Sequence, residues 1–180
     1  MDLFSAPALL IEQDAGVRTS FFNTAYAVDV YDERGTLLAR VRDRGGPGLK
    51  GVVRMVDEPG VTPYDLTVTL PDGREALGIR KGFHWLGGGQ VTVTGPDGAP
   101  VGSLARKFAS AIRLSDPAGR PLGDFTDVAA FHYGELAKRD GRRVRRNTLR
   151  LHPDQTGPTR LLAIAAGLAN NVVSGRGNKA

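Results

Sequence analysis

The chain has 180 residues, of which 41% are hydrophobic and 24% charged. This size and composition are typical of one globular domain and indicate neither disorder nor a fibrous repeat. Cysteine is absent, so disulfides, thiolate metal ligands and a cysteine nucleophile are excluded as well. The net charge is +5, and residues 91–180 hold 14 basic and 7 acidic side chains. Such an excess attracts phosphates or an anionic membrane surface.

The first segment, Met1–Pro7, has no basic residue ahead of its apolar ones and does not resemble a secretory signal. We therefore expect a cytoplasmic protein, which would be peripheral at the membrane if it binds lipid. The longest apolar run is shorter than the roughly 20 residues that a membrane-spanning helix needs, so no transmembrane segment is predicted.

Turn signals recur along the chain as pairs of an aspartate and a glycine, each flanked by short apolar or alternating runs. Aspartate at the first position of a type I turn with glycine at the fourth, or Asp-Gly at the centre of a type I′ turn, gives the reversal that a hairpin requires. The pattern predicts a meander of antiparallel hairpins. The six pairs are Asp32 and Gly35, Asp72 and Gly73, Asp97 and Gly98, Asp116 and Gly119, Asp140 and Gly141, and Asp154 and Gly157.

Between these turns, apolar and polar residues alternate with the period of two that is typical of half-buried strands. Leu66 and Val68 alternate with threonines, and Leu149 and Leu151 alternate with polar neighbours. A coarse count gives about twelve strands, too many for a strongly twisted sheet that neither curls nor closes. We therefore predict a mainly β fold in which a closed antiparallel barrel is formed.

The segment Thr159–Val173 breaks the alternating pattern and predicts a helix. Pro158 suits the first helical turn, and the alanines and leucines that follow have high helix propensity. Apolar residues surround the whole segment, which indicates a helix that is buried on all sides. We expect this C-terminal helix to fill the inside of the barrel.

A closed sheet around a C-terminal hydrophobic helix resembles the tubby C-terminal-like superfamily, and within it the phospholipid scramblase and LURP-one-related branch. The resemblance rests on the strand-turn-strand unit Val28–Leu38, the later unit Val93–Leu104 and the helix Arg160–Ala166. It implies a single domain over residues 1–180, with a core at about 9–173 and a tail at 174–180. For the function, it implies binding of phosphoinositide headgroups by basic strand residues.

Some scramblase features have no counterpart in this chain. A cysteine-rich palmitoylation segment, a proline-rich N-terminal region and an acidic calcium-binding stretch are all missing. Only one carboxylate, Asp154, stands in His152–Gly157 ahead of the helix, where a calcium ion would want several oxygen ligands. Calcium-dependent lipid scrambling is therefore not predicted.

The run from Lys138 to Arg150 has the highest charge density of the chain, with seven basic residues and one acid. Arginine's planar fork suits phosphate oxygens, so we predict that the run binds an anionic ligand. The alternative is a solvated hairpin whose charged edges oppose aggregation. If Leu149 and Leu151 face the core, Arg143 and Arg145 should too, unless a bulge intervenes or the strand passes the barrel rim. The predicted ligand-binding residues are Lys138, Arg139, Arg142, Arg143, Arg145 and Arg146.

Other chemical signals are weak. Phe83–Leu86, before three glycines, could be an aromatic wedge at a membrane, but core anchoring is the commoner role of such residues. The three histidines have no metal-ligand spacing, and neither a nucleophile elbow nor a phosphate-binding loop is present; Gly45–Gly51 is interpreted as an ordinary loop. We predict no catalytic residue, no metal and no cofactor.

Three functions remain open at this point. The first is a non-catalytic barrel that binds anionic phospholipid or another phosphorylated ligand through basic strands. The second is a protein-interaction or structural module without lipid binding, and the third a scramblase-like lipid-handling protein without calcium dependence. Nucleic acid is a less favoured partner because the basic residues are not interleaved with base-stacking aromatics.

Overall fold

The computed structural model describes residues 2–14, 26–44, 63–82, 89–106 and 111–177. These form eleven strands, a single helical turn α1 (Phe125–Val128) and a long C-terminal helix α2 (Gly157–Gly177). The fold is therefore mainly β with a C-terminal helix, as predicted. The strands are β1 (Ala8–Asp14), β2 (Ala27–Tyr31), β3 (Leu37–Asp43), β4 (Tyr64–Thr69), β5 (Glu75–Lys81), β6 (Val91–Thr94), β7 (Pro100–Arg106), β8 (Ile112–Ser115), β9 (Pro121–Asp124), β10 (Ala129–Arg139) and β11 (Arg142–Leu151).

All eleven strands belong to one antiparallel sheet in the order β10-β11-β1-β2-β3-β4-β5-β6-β7-β8-β9. The sheet is open between β9 and β10, so the predicted closed barrel is not confirmed. Neighbours alternate in direction, so the two edge strands of an eleven-strand antiparallel sheet run parallel and cannot close it with another antiparallel pair. The single turn α1 connects the two edges instead.

Four of the predicted turns share one geometry, a type I turn followed by a glycine with positive φ. In each, the glycine N–H donates to the carbonyl three residues earlier, as from Gly35 to Asp32 and from Gly119 to Asp116. Gly73 and Gly98 do the same at φ 89° and 72°, whereas the aspartates before them keep negative φ. The type I′ interpretation of these two adjacent pairs is therefore wrong, and the extra residue forms a bulge in each hairpin.

Helix α2 is buried against the sheet, as its all-round hydrophobicity predicted. Leu162, Ile164 and Leu168 are all fully inaccessible to solvent. The helix contacts β5, β7, β8, β10 and β11, which are strands from both halves of the sheet. The sheet thus curls around the helix. No helix within the described part of the chain is long and apolar enough to cross a membrane.

Two glycines allow the close approach between α2 and the sheet. A Cβ on Gly102 of β7, which has φ 152°, would lie 2.2 Å from the Ser115 carbonyl oxygen and 3.1 Å from Leu162. A Cβ on Gly167 of α2 would lie 2.6 Å from Leu149. A larger residue at Gly102 would therefore collide with the main chain of β8, and one at Gly167 would require the Leu149 side chain to move.

Candidate anion-binding site on the β10–β11 hairpin

The predicted basic run forms the hairpin of β10 and β11. Asp140 and Gly141 both have positive φ, at 48° and 80°, and Arg139 pairs with Arg142 on either side of them. This is the two-residue type I′ turn expected for an Asp-Gly pair. The turn makes a narrow hairpin that brings the basic residues of the two strands directly opposite each other.

The strand register divides the basic residues between the two faces of the hairpin. Leu136 pairs with Arg145 and Lys138 pairs with Arg143, and directly paired residues point to the same side of a sheet. We call these four residues the basic face. Arg139, Arg142 and Arg146 lie on the other side.

Arg139 and Arg146 bind an acidic residue of the neighbouring strand, Glu12 of β1. Arg139 donates from Nε and Nη2 at 2.9 and 2.8 Å, and Arg146 donates from Nε at 2.8 Å. Glu12 is 4% exposed. Burial alone would raise the pKa of its carboxyl, but the hydrogen bonds from the two arginines outweigh burial and lower that pKa below its usual value. These two arginines therefore compensate a buried charge.

Other contacts hold Arg139 and Arg146 in place beside Glu12. The Arg139 guanidinium lies 4.0 Å from the centre of the Tyr31 ring. The hydrogen bond from Arg139 to the Glu12 carboxylate raises the pKa of Arg139. Arg146 also contacts Glu135 at 3.3 Å. We call Glu12, Arg139, Arg146 and Glu135 the Glu12 cluster. It is a structural ion network that ties β10 and β11 to β1.

The other four cations of the predicted site have no such partner. Lys138, Arg142 and Arg143 are exposed and Arg145 is half-buried, and no ion pair joins any of them to another residue in the described ranges. Three of the four belong to the basic face. A phosphate could therefore approach these three without displacing an existing carboxylate.

An exposed leucine stands among the cations of the basic face. Leu136 is 72% exposed, and Tyr133 on the same strand is 61% exposed. Leu136 shares its face with Lys138 by the period of two and with Arg145 by direct pairing. One apolar side chain surrounded by three cations is a combination that suits the headgroup region of an anionic bilayer. Sequence analysis did not single out Leu136, because its exposure depends on the hairpin extending past the end of the hydrophobic core.

The basic face continues the core face of β11 past the end of the hydrophobic core. β11 pairs with β1 without a register shift from Arg150 to Val144, so Arg143 and Arg145 share their side with Asn147 and the core leucines. Arg143 lies beyond the last described pair with β1. The bulge lies in β10 instead, between His132 and Glu135. No bulge interrupts the pairing of β11 with β1, so the bulge that the sequence analysis offered as one explanation does not lie in β11.

A buried polar chain separates the core from the basic face. Asn147 donates from Nδ2 to Asn171 Oδ1 of α2, and Asn171 donates in turn to the Tyr26 hydroxyl. The bulge at Gly134, with φ 49°, allows its N–H to donate to Asn147 Oδ1. Buried amides with several partners fix one arrangement of the chain. These hydrogen bonds tie the base of the hairpin to the end of α2.

The remaining candidates from the sequence do not assemble into a site. Phe83–Leu86, His84 and Gly45–Gly51 lie outside the described residues. His132 is exposed on β10, and His152 contacts the Asp127 carbonyl through Nδ1 at 3.0 Å. Among the described residues, no group of three or more histidines and carboxylates could hold a metal ion.

Comparison with known proteins gives no relative. No protein-family model matches the chain, and neither a curated protein nor a solved structure matches it. The resemblance to tubby-like domains therefore stays a prediction from the sequence. The function has to be argued from the hairpin itself.

Proposed function

We propose that the chain is a non-catalytic, tubby-like domain that binds anionic lipid headgroups through the basic face of the β10–β11 hairpin. The observation that carries the proposal is the exposed Leu136 among Lys138, Arg143 and Arg145. Arg142 at the turn supplies a further exposed cation on the opposite side. Arg139 and Arg146 have a structural role in the proposal, because withdrawing them would leave the buried Glu12 without a counter-charge.

The magnitudes suit a weak, peripheral association. Attraction to an anionic leaflet is worth about 1 kcal/mol for each basic residue near the surface. Three cations of the basic face therefore contribute about 3 kcal/mol, which is roughly a hundredfold in partitioning. Insertion of Leu136 adds a smaller, apolar contribution to the free energy of membrane binding, and salt does not screen this contribution.

A tubby-like assignment carries the expectation of a closed barrel around the helix. The proposal draws on α2 contacting strands from both halves of the sheet and on the full burial of its leucines. Under this assignment, the sheet of this chain differs from the closed barrel expected of the family by its opening between β9 and β10. The hairpin that carries the basic face adjoins that opening.

Cosedimentation with vesicles tests the function. We expect the full chain to sediment with phosphatidylcholine vesicles that contain phosphatidylserine or a phosphoinositide, and to stay in solution with pure phosphatidylcholine. A short single-stranded oligonucleotide is added as a competitor. Equal binding to neutral and anionic vesicles, or stronger binding to the oligonucleotide, would contradict the proposal. No sedimentation with any vesicle would favour the protein-interaction module.

A further inference from the structure

Strand β10 leaves an edge of the sheet open next to the basic face. The three large hydrophobic residues that are exposed in the described structure, Leu122, Tyr133 and Leu136, all lie on the edge strands β9 and β10. Past the bulge, β10 pairs with β11 in unbroken register over Glu135–Arg139. Among the described residues, no strand pairs with the other side of this five-residue stretch, and an unpaired side is the usual requirement for adding another strand.

The turn determines which main-chain groups point to that free side. A two-residue loop is closed by a hydrogen-bonded pair, here Arg139 and Arg142, and hydrogen-bonded pairs alternate with non-hydrogen-bonded pairs along the ladder. Ala137 is therefore bonded to β11. Leu136 and Lys138 direct their N–H and C=O groups to the open edge. An added antiparallel strand must form its hydrogen bonds with these two residues.

The edge sequence is complementary to itself when it is reversed. Placed antiparallel to a second copy and centred on Ala137, Glu135 lies opposite Arg139 of the other copy, and Leu136 lies opposite Lys138. In the same register the outward main-chain groups of Leu136 and Lys138 face each other, so the charge pattern and the hydrogen-bond pattern agree. We propose that two copies of this chain form a homodimer by antiparallel β10–β10 pairing centred on Ala137.

Two features of β10 oppose indiscriminate pairing and support this particular register. The bulge between His132 and Glu135 bends the first half of the strand and limits pairing to the five residues beyond it. An edge lysine usually discourages strand addition because a second strand must accommodate its charge. Here Lys138 meets only the leucine of the other copy, whose side chain can pack against the lysine's aliphatic stem.

The symmetry of this dimer places both basic faces on the same side. Side chains of directly paired residues share a face, so a two-fold axis perpendicular to the sheet relates the copies and both Leu136 side chains point the same way. If the proposed lipid binding is correct, the dimer would engage one membrane with two sites at once. The dimer itself does not require lipid binding, and it can be assayed without lipid.

Single-cysteine crosslinking tests the register, and the chain suits it because it contains no cysteine. In the proposed pairing, the two Ala137 residues form a non-hydrogen-bonded pair with Cα atoms about 4.5 Å apart, within disulfide reach. The two Leu136 residues are offset along the strands by two positions, with Cα atoms about 8–9 Å apart, beyond disulfide reach. Under mild oxidation we expect Ala137→Cys to form a covalent dimer at least tenfold faster than Leu136→Cys. Equal rates would overturn the proposal.

Sedimentation velocity of the full chain, from micromolar to about millimolar concentration, tests the dimer without modification. We expect a reversible monomer–dimer equilibrium with a micromolar or weaker dissociation constant, since the interface is small. Glu135→Lys puts a lysine opposite Arg139 and should weaken the dimer at least tenfold. Glu33→Lys is the control. The Glu33 side chain is 53% exposed and that of Glu135 is 63% exposed, and each forms one ion pair with an arginine, at 3.5 and 3.3 Å.

The outcomes separate this proposal from the lipid proposal. Glu135 lies outside the basic face, so Glu135→Lys removes no lipid-binding cation. Loss of the dimer with retained vesicle binding would support both proposals. A parent protein that stays monomeric throughout, or a dimer that Glu135→Lys and Glu33→Lys weaken equally, would overturn the β10 dimer and leave the lipid proposal standing.

Discussion

Arg139 and Glu12 are 127 residues apart in sequence, yet Arg139 donates two hydrogen bonds to the Glu12 carboxylate. The contact crosses β11 only through side chains, because β1 pairs with β11 and not with β10. Arg146 lies on β11 directly opposite Glu12 and binds the same carboxylate. The Glu12 cluster therefore fixes the hairpin from one face and leaves the cations of the other face available.

Replacing Glu12 by glutamine should destabilise the fold by about 2–3 kcal/mol. Removing one partner of a buried ion pair costs about 3–5 kcal/mol, and the remaining 22% and 21% exposure of the two arginines reduces that cost. For a chain of this length, the melting temperature should fall by about 4–12 °C. Glu33→Gln is the control, and its exposed 3.5 Å pair with Arg150 should change stability by less than about 0.5 kcal/mol. Equal melting temperatures for the two variants would refute the structural role.

Acid should weaken the contribution of Glu12. Folding lowers the pKa of Glu12 below its usual value of 4.5, so its contribution is fully present above that pH and is lost as the pH falls through the folded-state pKa. Urea unfolding of the parent and of Glu12→Gln at several pH values measures this. We expect the difference in unfolding free energy to be largest near neutral pH and to shrink below about pH 4.5. A pH-independent difference would show that the ion pair is not its cause.

A charge in the middle of α2 should prevent folding. Ile164 is fully buried among other apolar residues, and Ile164→Lys would place an unpaired charge there. The cost of several kcal/mol is comparable to a total stability of about 5–15 kcal/mol. Thr156→Lys adds the same charge at an exposed position just before the helix and should fold normally. Far-UV circular dichroism and thermal melting distinguish the two, and a cooperative melt of Ile164→Lys at the parental temperature would contradict the buried position of α2.

The turn glycines should be sensitive to β-branched substitutions for backbone reasons alone. Gly119 has φ 81°, and a Cβ added to it would have no other atom within 4 Å, so Gly119→Val meets strain without a clash. We expect a loss of about 1 kcal/mol or more, because valine resists positive φ. Gly82 has equally open surroundings without positive φ, so Gly82→Val should be tolerated. Comparable melting temperatures for the two variants would argue against the turn geometry.

The strands and turns were predictable because their signals are local. An aspartate and a glycine at fixed spacing, with alternating flanks, specify a hairpin within ten or so residues. The turn type was less certain, since Asp97-Gly98 fits both a type I′ turn and the end of a type I turn. Pro96, just before the aspartate, suits the second position of a type I turn and was the signal available in the sequence.

The Glu12 cluster and the open edge could not be predicted because both depend on distant pairing. The sequence does not state that β1 lies between β11 and β2, so Glu12 could not be connected with the basic run. Likewise, a sheet of twelve strands can close into a barrel with antiparallel pairs only, whereas a sheet of eleven cannot. A coarse count of strands from the sequence does not distinguish eleven from twelve. The exposure of Leu136 has a third origin, because the hairpin extends past the end of the core and the sequence does not show where the core ends.

Vesicle binding by a charge-reversed hairpin tests the central claim most directly. The test variant carries both Lys138→Glu and Arg143→Glu, which replaces a cross-strand pair of positive charges by a pair of negative charges. The control variant carries Arg34→Glu and Arg120→Glu, which change the net charge by the same amount at exposed turns elsewhere. Lipid binding through the basic face predicts at least a tenfold loss for the first variant on phosphatidylserine vesicles, little loss for the second, and a smaller difference at high salt. Equal binding by both variants and the parent, with circular dichroism showing intact folds, would contradict the account.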